Sequence, residues 1–345
     1  MPLLTSERFL GLNSHDRAAL EELGWNERFA SAFDALGLDD LQPGRLAADY
    51  GTKFLVQLAG SAPLARLGSA LRETRLVAVG DWLAVHDTPE ATEVRAVLRR
   101  QSAITREAPG RETAAQVIAA NVDLVFIATS ADTDFNLRRI ERLLTVVYQS
   151  GAAPVIVLTK VDLNNPDPFE TELETIAAGV PVVAVSGWTG DGVETVRMHL
   201  SRGKTAVLVG SSGVGKSTLI NRLLGEEVLR TAEVHHSGQG RHTTSHRQLL
   251  KVPGGGLVID TPGLREIQLW AGAEALAEVF LDIEALALRC RFTDCRHETE
   301  PDCAVVAALE GGTLEASRLT SYRKLQRELR AIEVKAAVRV KRRLG

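Results

Sequence analysis

The segment Gly210-Ser211-Ser212-Gly213-Val214-Gly215-Lys216-Ser217 has the spacing of a phosphate-binding loop. Its glycines let backbone N–H groups turn inward around phosphate oxygens, and the N-terminus of a following helix adds partial positive charge. Lys216 at this spacing reaches the β- and γ-phosphates, and the Ser217 hydroxyl is placed to ligate Mg²⁺. Thr218 completes the set of expected nucleotide-binding residues in this loop.

Such a loop serves ATP as well as GTP. Asp162, in Thr159-Lys160-Val161-Asp162, separates them. A carboxylate there accepts hydrogen bonds from guanine N1–H and the 2-amino group, a donor pair adenine lacks, while the Lys160 stem can lie along the base plane. Thr159 departs from the usual Asn and leaves that residue's supporting hydrogen bonds unassigned. Ser186-Gly187 stands where a second loop offers backbone N–H groups to the guanine carbonyl. Asp260-Thr261-Pro262-Gly263 closes another apolar run. Asp260 suits holding Mg²⁺ through its water ligands, and the Gly263 N–H suits the γ-phosphate. Leu264 follows where many GTPases place a water-positioning Gln, and an aliphatic side chain cannot orient water.

Four of the eight histidines fall in residues 235–246, a glycine-containing stretch between the phosphate loop and Asp260. Its place favours a switch loop over a metal site. The hydroxyl of Thr243 or Thr244 can complete a Mg²⁺ shell. His242 can orient a water or accept its proton; the alternative is a loop histidine facing RNA or solvent. Further on, Cys290-x4-Cys295-x-His297-x5-Cys303 gathers all three cysteines of the chain. Three thiolates and one imidazole form a closed tetrahedral set for one structural Zn²⁺, against the alternative of free buried thiols.

These groups need a scaffold. At 345 residues the chain can hold two or three domains, and no apolar run approaches the ~20 residues of a membrane span. The first residues do not resemble a signal peptide, and so few cysteines exclude a disulfide framework, so a cytoplasmic protein is expected. Net charge is only −4 but is unevenly spread: residues 1–49 hold nine acids and four bases, and 318–345 hold ten bases and two acids. The basic tail has a helix-compatible composition and is either a solvated helix or a phosphate-backbone contact surface beginning at Arg318.

Residues 1–44 form an N-terminal extension of short helical patterns, ending at the turn signal Gln42-Pro43-Gly44. Over 45–106, short strands are expected at 45–50, 53–59, 76–79, 82–86 and 94–100, the texture of a small all-β barrel of oligonucleotide-binding type. Trp82 belongs to its core rather than to a stacking platform. Over 110–286, apolar runs at 122–128, 154–158, 181–185, 205–209 and 257–259 alternate with helical segments, including 137–149 and 274–288, which predicts a parallel sheet covered on both faces. Residues 287–345 form a small helical, zinc-binding and basic domain.

The base-reading tetrapeptide precedes the phosphate loop by about fifty positions, the reverse of the ordinary order. The fold class is therefore an α/β P-loop GTPase domain of circularly permuted type, between a barrel and a zinc-binding helical domain. That order, with Gly238-Gln239-Gly240-Arg241-His242-Thr243-Thr244 and the Cys3His set, resembles ribosome small subunit-dependent GTPase A over about residues 45–330. The resemblance implies GTP hydrolysis, with His242 as the catalytic histidine, and action late in the maturation of the small (30S) ribosomal subunit beside its 16S ribosomal RNA. It is less typical of the acidic 1–44 segment, whose role is unassigned. A monomer is expected. An RNA-binding module gated by nucleotide, with incidental hydrolysis, and an ATP-dependent enzyme are the alternatives. Because the chain leaves the sheet after Asp260 to enter the zinc domain, nucleotide state is expected to move the flanking domains.

Overall fold

Two β-architectures share one hydrogen-bonded sheet in the computed structural model, which describes residues 14–38, 40–72, 76–107, 115–225, 247–261 and 273–344. The first is a barrel of β1 (Gln42–Asp49), β2 (Phe54–Gln57), β3 (Leu64–Leu67), β4 (Trp82–Asp87) and β5 (Thr92–Val97). They pair in the order β1-β2-β3-β5-β4, and β4 returns to β1 to close the ring. Leu46, Phe54, Val56, Leu83, Val85 and Val94 fill its interior. Trp82 is fully buried, as expected for a core residue.

The expected turn at Gln42-Pro43-Gly44 is instead the start of β1, paired with Val85, Ala84 and Leu83. A Cβ on Gly44 would lie 2.5 Å from Val56 Cγ1, so glycine marks a close approach inside the barrel, not a chain reversal. No strand forms at 76–79. Asp81 organises that segment as a turn, accepting from Ala78 N at 2.7 Å while its own N–H donates to the Ala78 carbonyl at 3.0 Å. The barrel's third strand is β3, which sequence patterning missed.

Next come β6 (Ala103–Glu107) and β7 (Ala115–Ala120), an antiparallel ribbon, and then the second architecture. It comprises β8 (Leu124–Ser130), β9 (Ala153–Thr159), β10 (Val182–Val185), β11 (Thr205–Val209), β12 (Gln248–Lys251) and β13 (Leu257–Asp260), in the order β10-β9-β8-β11-β13-β12. All neighbours are parallel except β12 and β13. These strands are apolar on both faces because helices cover both. Helices Val193–His199 and Lys216–Leu224 pack on one face. Helix Leu137–Ser150, capped by the Asn136 side chain and ended by left-handed Gly151, packs on the other.

The C-terminal helices extend that second core, which runs on through Phe280, Ile283, Val305, Tyr322 and Leu325. Residues expected to form one helix over 274–288 form two, Ala273–Val279 and Leu281–Ala287. The break is at Phe280, whose backbone leaves helical space (φ −114°, ψ 42°) while its fully buried ring meets Tyr322 at 5.4 Å. The basic tail is one helix, Ala316–Leu344. Among the described residues no helix is long and apolar enough to cross a membrane.

Helices Ser14–Glu22 and Glu27–Asp34 bridge the two architectures. Trp25, Phe29 and Phe33 cluster against Trp82 of the barrel, and Glu22 pairs with Arg202 and Lys251 of the parallel-sheet unit. At the seam lies Arg45, 1% exposed, donating to the carbonyls of Leu23, Gly80 (3.3 Å) and Asn121 (3.0 Å). Burial pulls its pKa down to about 10 against the raising charges of Asp123 and Asp81, so it stays protonated at neutral pH. Arg45→Met keeps the aliphatic stem and strands three buried carbonyls. We expect it to cost roughly 3 kcal/mol or more, each unsatisfied group costing about 1–3 kcal/mol; denaturant unfolding that matches the native chain would refute this clamp.

Candidate functional site

Strands β8, β9, β10, β11 and β13 all end at one edge of the sheet, so the loops after them converge there. The phosphate-loop segment leaves β11, which is buried along its whole length, and enters helix Lys216–Leu224. Gly210, Gly213 and Gly215 all have positive φ (147°, 76° and 104°). A Cβ at Gly210 would lie 2.4 Å from the Ala128 carbonyl oxygen, so both conformation and space demand glycine. Lys216 Nζ spans the loop, donating to the carbonyls of Gly210 at 2.9 Å and Ser211 at 2.5 Å. Val214 is buried; Ser217 and Thr218 are half-buried in the first helical turn.

The tetrapeptide Thr159-Lys160-Val161-Asp162 turns away from the end of β9 at the same edge. The Thr159 hydroxyl donates to the Val214 carbonyl at 2.6 Å, with the Thr129 carbonyl at 3.2 Å, so this threonine staples the tetrapeptide to the phosphate loop. Lys160 has φ 58°, and its ammonium pairs with Asp132 at 2.9 Å. The Val161 N–H meets the Val185 carbonyl at 3.5 Å, and Asp162 is exposed. Asn164 Nδ2 donates to the Ala131 carbonyl at 2.6 Å.

Ser186 follows β10, fully buried, its hydroxyl accepting from Thr189 N at 3.0 Å. A Cβ on Gly187 would lie 2.9 Å from Thr218 Cγ2, so this loop sits directly on the helix after the phosphate loop. Arg222 of that helix secures it, donating to the carbonyls of Gly187 (2.9 Å) and Trp188 (2.5 Å). Asp260 ends β13 beside β11, and burial pushes its carboxyl above the usual range. Hydroxyl and carboxylate oxygens at these places are the donors Mg²⁺ takes. His242, Thr243, Thr244, Gly263 and Leu264 lie outside the described residues.

Two carboxylates, Asp132 and Asp134, entered no motif yet stand among these loops. Partial burial would raise the Asp132 pKa. Hydrogen bonds from Ser130, Lys160 and the Asp134 N–H, with the Lys160 charge, outweigh it and hold the group down at about 2. Asp134 pairs with Arg139 at 2.9 Å and accepts from the Ser211 hydroxyl. A local signal existed: Asp-x-Asp between a strand and a helix cap is an Asx-turn pattern. Nothing in it named Lys160 or Ser211 as partners.

The second centre is the Cys3His set. Cys290, Cys295, His297 and Cys303 bring their donor atoms within 4.8 Å of one another. Cys290 and Cys303 sulfurs are 3.8 Å apart, and His297 Nδ1 is 3.6 and 3.4 Å from them. With bond lengths of about 2.3 Å to sulfur and 2.05 Å to nitrogen, tetrahedral edges come to about 3.8 and 3.6 Å. The cluster can therefore hold one metal ion. His297 is buried at φ 59°, and Cys303 caps helix Ala304–Glu310, accepting from Val306 N at 3.5 Å.

Arg318, read from sequence as the start of a basic contact surface, is instead interior. It is 11% exposed and engages Asp282 (2.6 and 2.8 Å), Glu141 (2.8 Å) and the Val279 carbonyl (2.9 Å). Burial raises the Glu141 pKa, opposed by the Ser321 hydroxyl and Arg318. The exposed bases of this helix begin later, at Lys324, Arg327 and Arg330.

The sequence profile described as RsgA GTPase matches residues 97–270. Relatives from Opitutus terrae and Streptomyces coelicolor, both named small ribosomal subunit biogenesis GTPase RsgA, are 48% and 42% identical to this chain. Those matches cover 90% and 95% of this chain and 89% and 92% of theirs. The crystal structure of YjeQ from Thermotoga maritima superposes with a TM-score of 0.63 at 29% identity, over 84% of this chain and 98% of that one. YloQ, described as a circularly permuted GTPase, shares the fold at 24% identity and a TM-score of 0.61, over 84% and 96%.

Proposed function

The chain belongs to the RsgA GTPase family, and from that premise we propose that it is a small ribosomal subunit biogenesis GTPase. It binds GTP at the converging loops, acts on the small subunit in the cytoplasm as a monomer, contacts 16S ribosomal RNA and hydrolyses GTP to GDP and phosphate. The observation that carries this reading is the stapling of the tetrapeptide to the phosphate loop through Thr159 and Val214. It lets one ligand span a guanine-reading carboxylate and a phosphate cradle.

In this reading Gly210, Ser211, Ser212, Gly213, Val214, Gly215, Lys216, Ser217 and Thr218 hold the phosphates. Thr159, Lys160, Val161, Asp162, Ser186 and Gly187 hold the base, and Gly263 meets the γ-phosphate. Ser217 and one of Thr243 and Thr244 hold Mg²⁺, with Asp260 behind its waters; bound there, the ion offsets phosphate charge. His242 orients the attacking water. Cys290, Cys295, His297 and Cys303 hold one structural Zn²⁺.

GTP hydrolysis measured with and without purified small subunits tests the whole reading. A large stimulation is expected, and equal rates would reject it. Guanine selectivity tests the base site separately. Asp162→Asn cannot accept from both guanine donors, and a charge-assisted bond is worth roughly 1.5–3 kcal/mol, so GTP affinity should fall about tenfold or more. Unchanged GTP binding, or tight ATP binding by the native chain, would remove Asp162 from its role.

A further inference from the structure

The turn after β8 holds both halves of the nucleotide site from behind. Asp132 uses its two oxygens differently. Oδ1 accepts from the Ser130 hydroxyl at 2.7 Å and the Asp134 N–H at 2.9 Å, which shapes the turn. Oδ2 accepts from Lys160 Nζ at 2.9 Å and reaches out of the turn to the tetrapeptide. Asp134 divides its work the same way. It takes the Arg139 guanidinium in a fork, 3.1 Å to Oδ1 and 2.9 Å to Oδ2, which anchors it to the first turn of helix Leu137–Ser150. Oδ2 also accepts from the Ser211 hydroxyl in the phosphate loop.

We infer that Asp132 and Asp134 are positioning residues for guanine-nucleotide binding, Asp132 acting on the base through Lys160 and Asp134 on the phosphates through Ser211. The inference rests on the proposed GTPase reading and deepens it. Lys160 needs such a hold. Its backbone sits in left-handed space, where a residue with a Cβ is disfavoured, and its long side chain has many rotamers to lose. A fixed carboxylate selects one of those rotamers before the base arrives, so binding loses less conformational freedom. The Lys160 backbone conformation also sets where Asp162 emerges two residues later. A misplaced Lys160 therefore costs recognition of the guanine edge itself.

Asp132→Asn separates the two tasks of that side chain. Its carboxamide oxygen can keep Ser130 and the Asp134 N–H, so the turn survives, while its NH2 group faces the Lys160 ammonium and cannot accept from it. Binding of GDP and inosine diphosphate, which lacks the 2-amino group, reads the consequence. Asp132→Asn should weaken GDP roughly tenfold and inosine diphosphate much less, so that discrimination between them collapses. Asp134→Ala should weaken both by the same factor and leave the ratio intact. In a double-mutant cycle, Asp132→Asn should add nothing once Lys160→Met is present. Equal weakening of both nucleotides by Asp132→Asn, unaltered GDP affinity, or additivity with Lys160→Met would overturn the inference. A native chain that fails to prefer GDP to ADP would instead strike the GTPase reading.

Discussion

His242→Ala should abolish most of the hydrolysis that small subunits stimulate, by about 10²–10⁴-fold, with nucleotide affinity nearly unchanged. Leu264 cannot polarise or orient a water, so the group that does so must come from another segment. The described strands say where the histidine-bearing segment re-enters the fold. Gln248, the first residue of β12, pairs directly with Asp260 at the end of β13. The chain therefore emerges at residue 247 beside the carboxylate assigned to the Mg²⁺ waters. His242 is five residues earlier, within a reach of about 17 Å for an extended chain. A histidine on so short a tether is within reach of the γ-phosphate of a nucleotide bound as proposed. On the proposed reading, docking on the subunit aligns His242 with the attacking water, as partner contacts align catalytic groups in other GTPases. Stimulated turnover, basal turnover and nucleotide affinity are measured together for native chain and variant. Full stimulated turnover in His242→Ala would make this a loop histidine and return the water-positioning role to an unassigned group.

What sequence could reveal depended on how local the physical cause was. The parallel strands were legible because burial on both faces writes an uninterrupted apolar run, as in Leu124–Ser130 and Thr205–Val209. The phosphate loop was legible because its glycines answer to backbone geometry within eight residues. The third barrel strand was not, since Leu64–Leu67 buries only Ala65 and Leu67 between Pro63 and Gly68. The break at Phe280 was hidden for a similar reason: nothing in an otherwise helical run announces that one ring must turn into a core shared with Tyr322. Least legible were the polar groups whose partners are distant in sequence. Arg45, Asp132, Glu141 and Arg318 look like ordinary surface charges until the fold brings carbonyls, Lys160 or each other within hydrogen-bond reach. Arg318 shows the cost of reading charge by composition alone, since its guanidinium joins the C-terminal helix to the parallel-sheet unit and does not face outward.

Removing zinc should unfold residues 288–303 and leave the parallel sheet standing. Sequence alone suggested one small helical, zinc-binding and basic domain over residues 287–345. The structure divides that unit in two. Helix Ala316–Leu344 and the helices on either side of Phe280 share the core of the parallel sheet, through Leu319, Tyr322, Leu325 and Ile283, and have apolar burial to hold them. The connecting loop does not: from Arg291 to Glu300 only His297 is buried, and Cys303 anchors its far end by capping helix Ala304–Glu310. Four donor atoms within 4.8 Å of one another are what close that loop, and without a metal three sulfurs and an imidazole lose their common partner. Structural zinc contributes about 10–16 kcal/mol in isolated zinc-finger peptides; here the surrounding helices persist, so the stability change should be smaller and local. Metal analysis is expected to find about one zinc per chain, lost when Cys295→Ser and His297→Ala are combined. Hydrogen exchange in that variant, or after chelation, should show protection lost across 288–303 while β8 and β11 remain protected. Stoichiometric zinc in the double variant would place the metal elsewhere. Global loss of protection would mean that the C-terminal helices depend on the metal after all, and that the shared core is too weak to hold them.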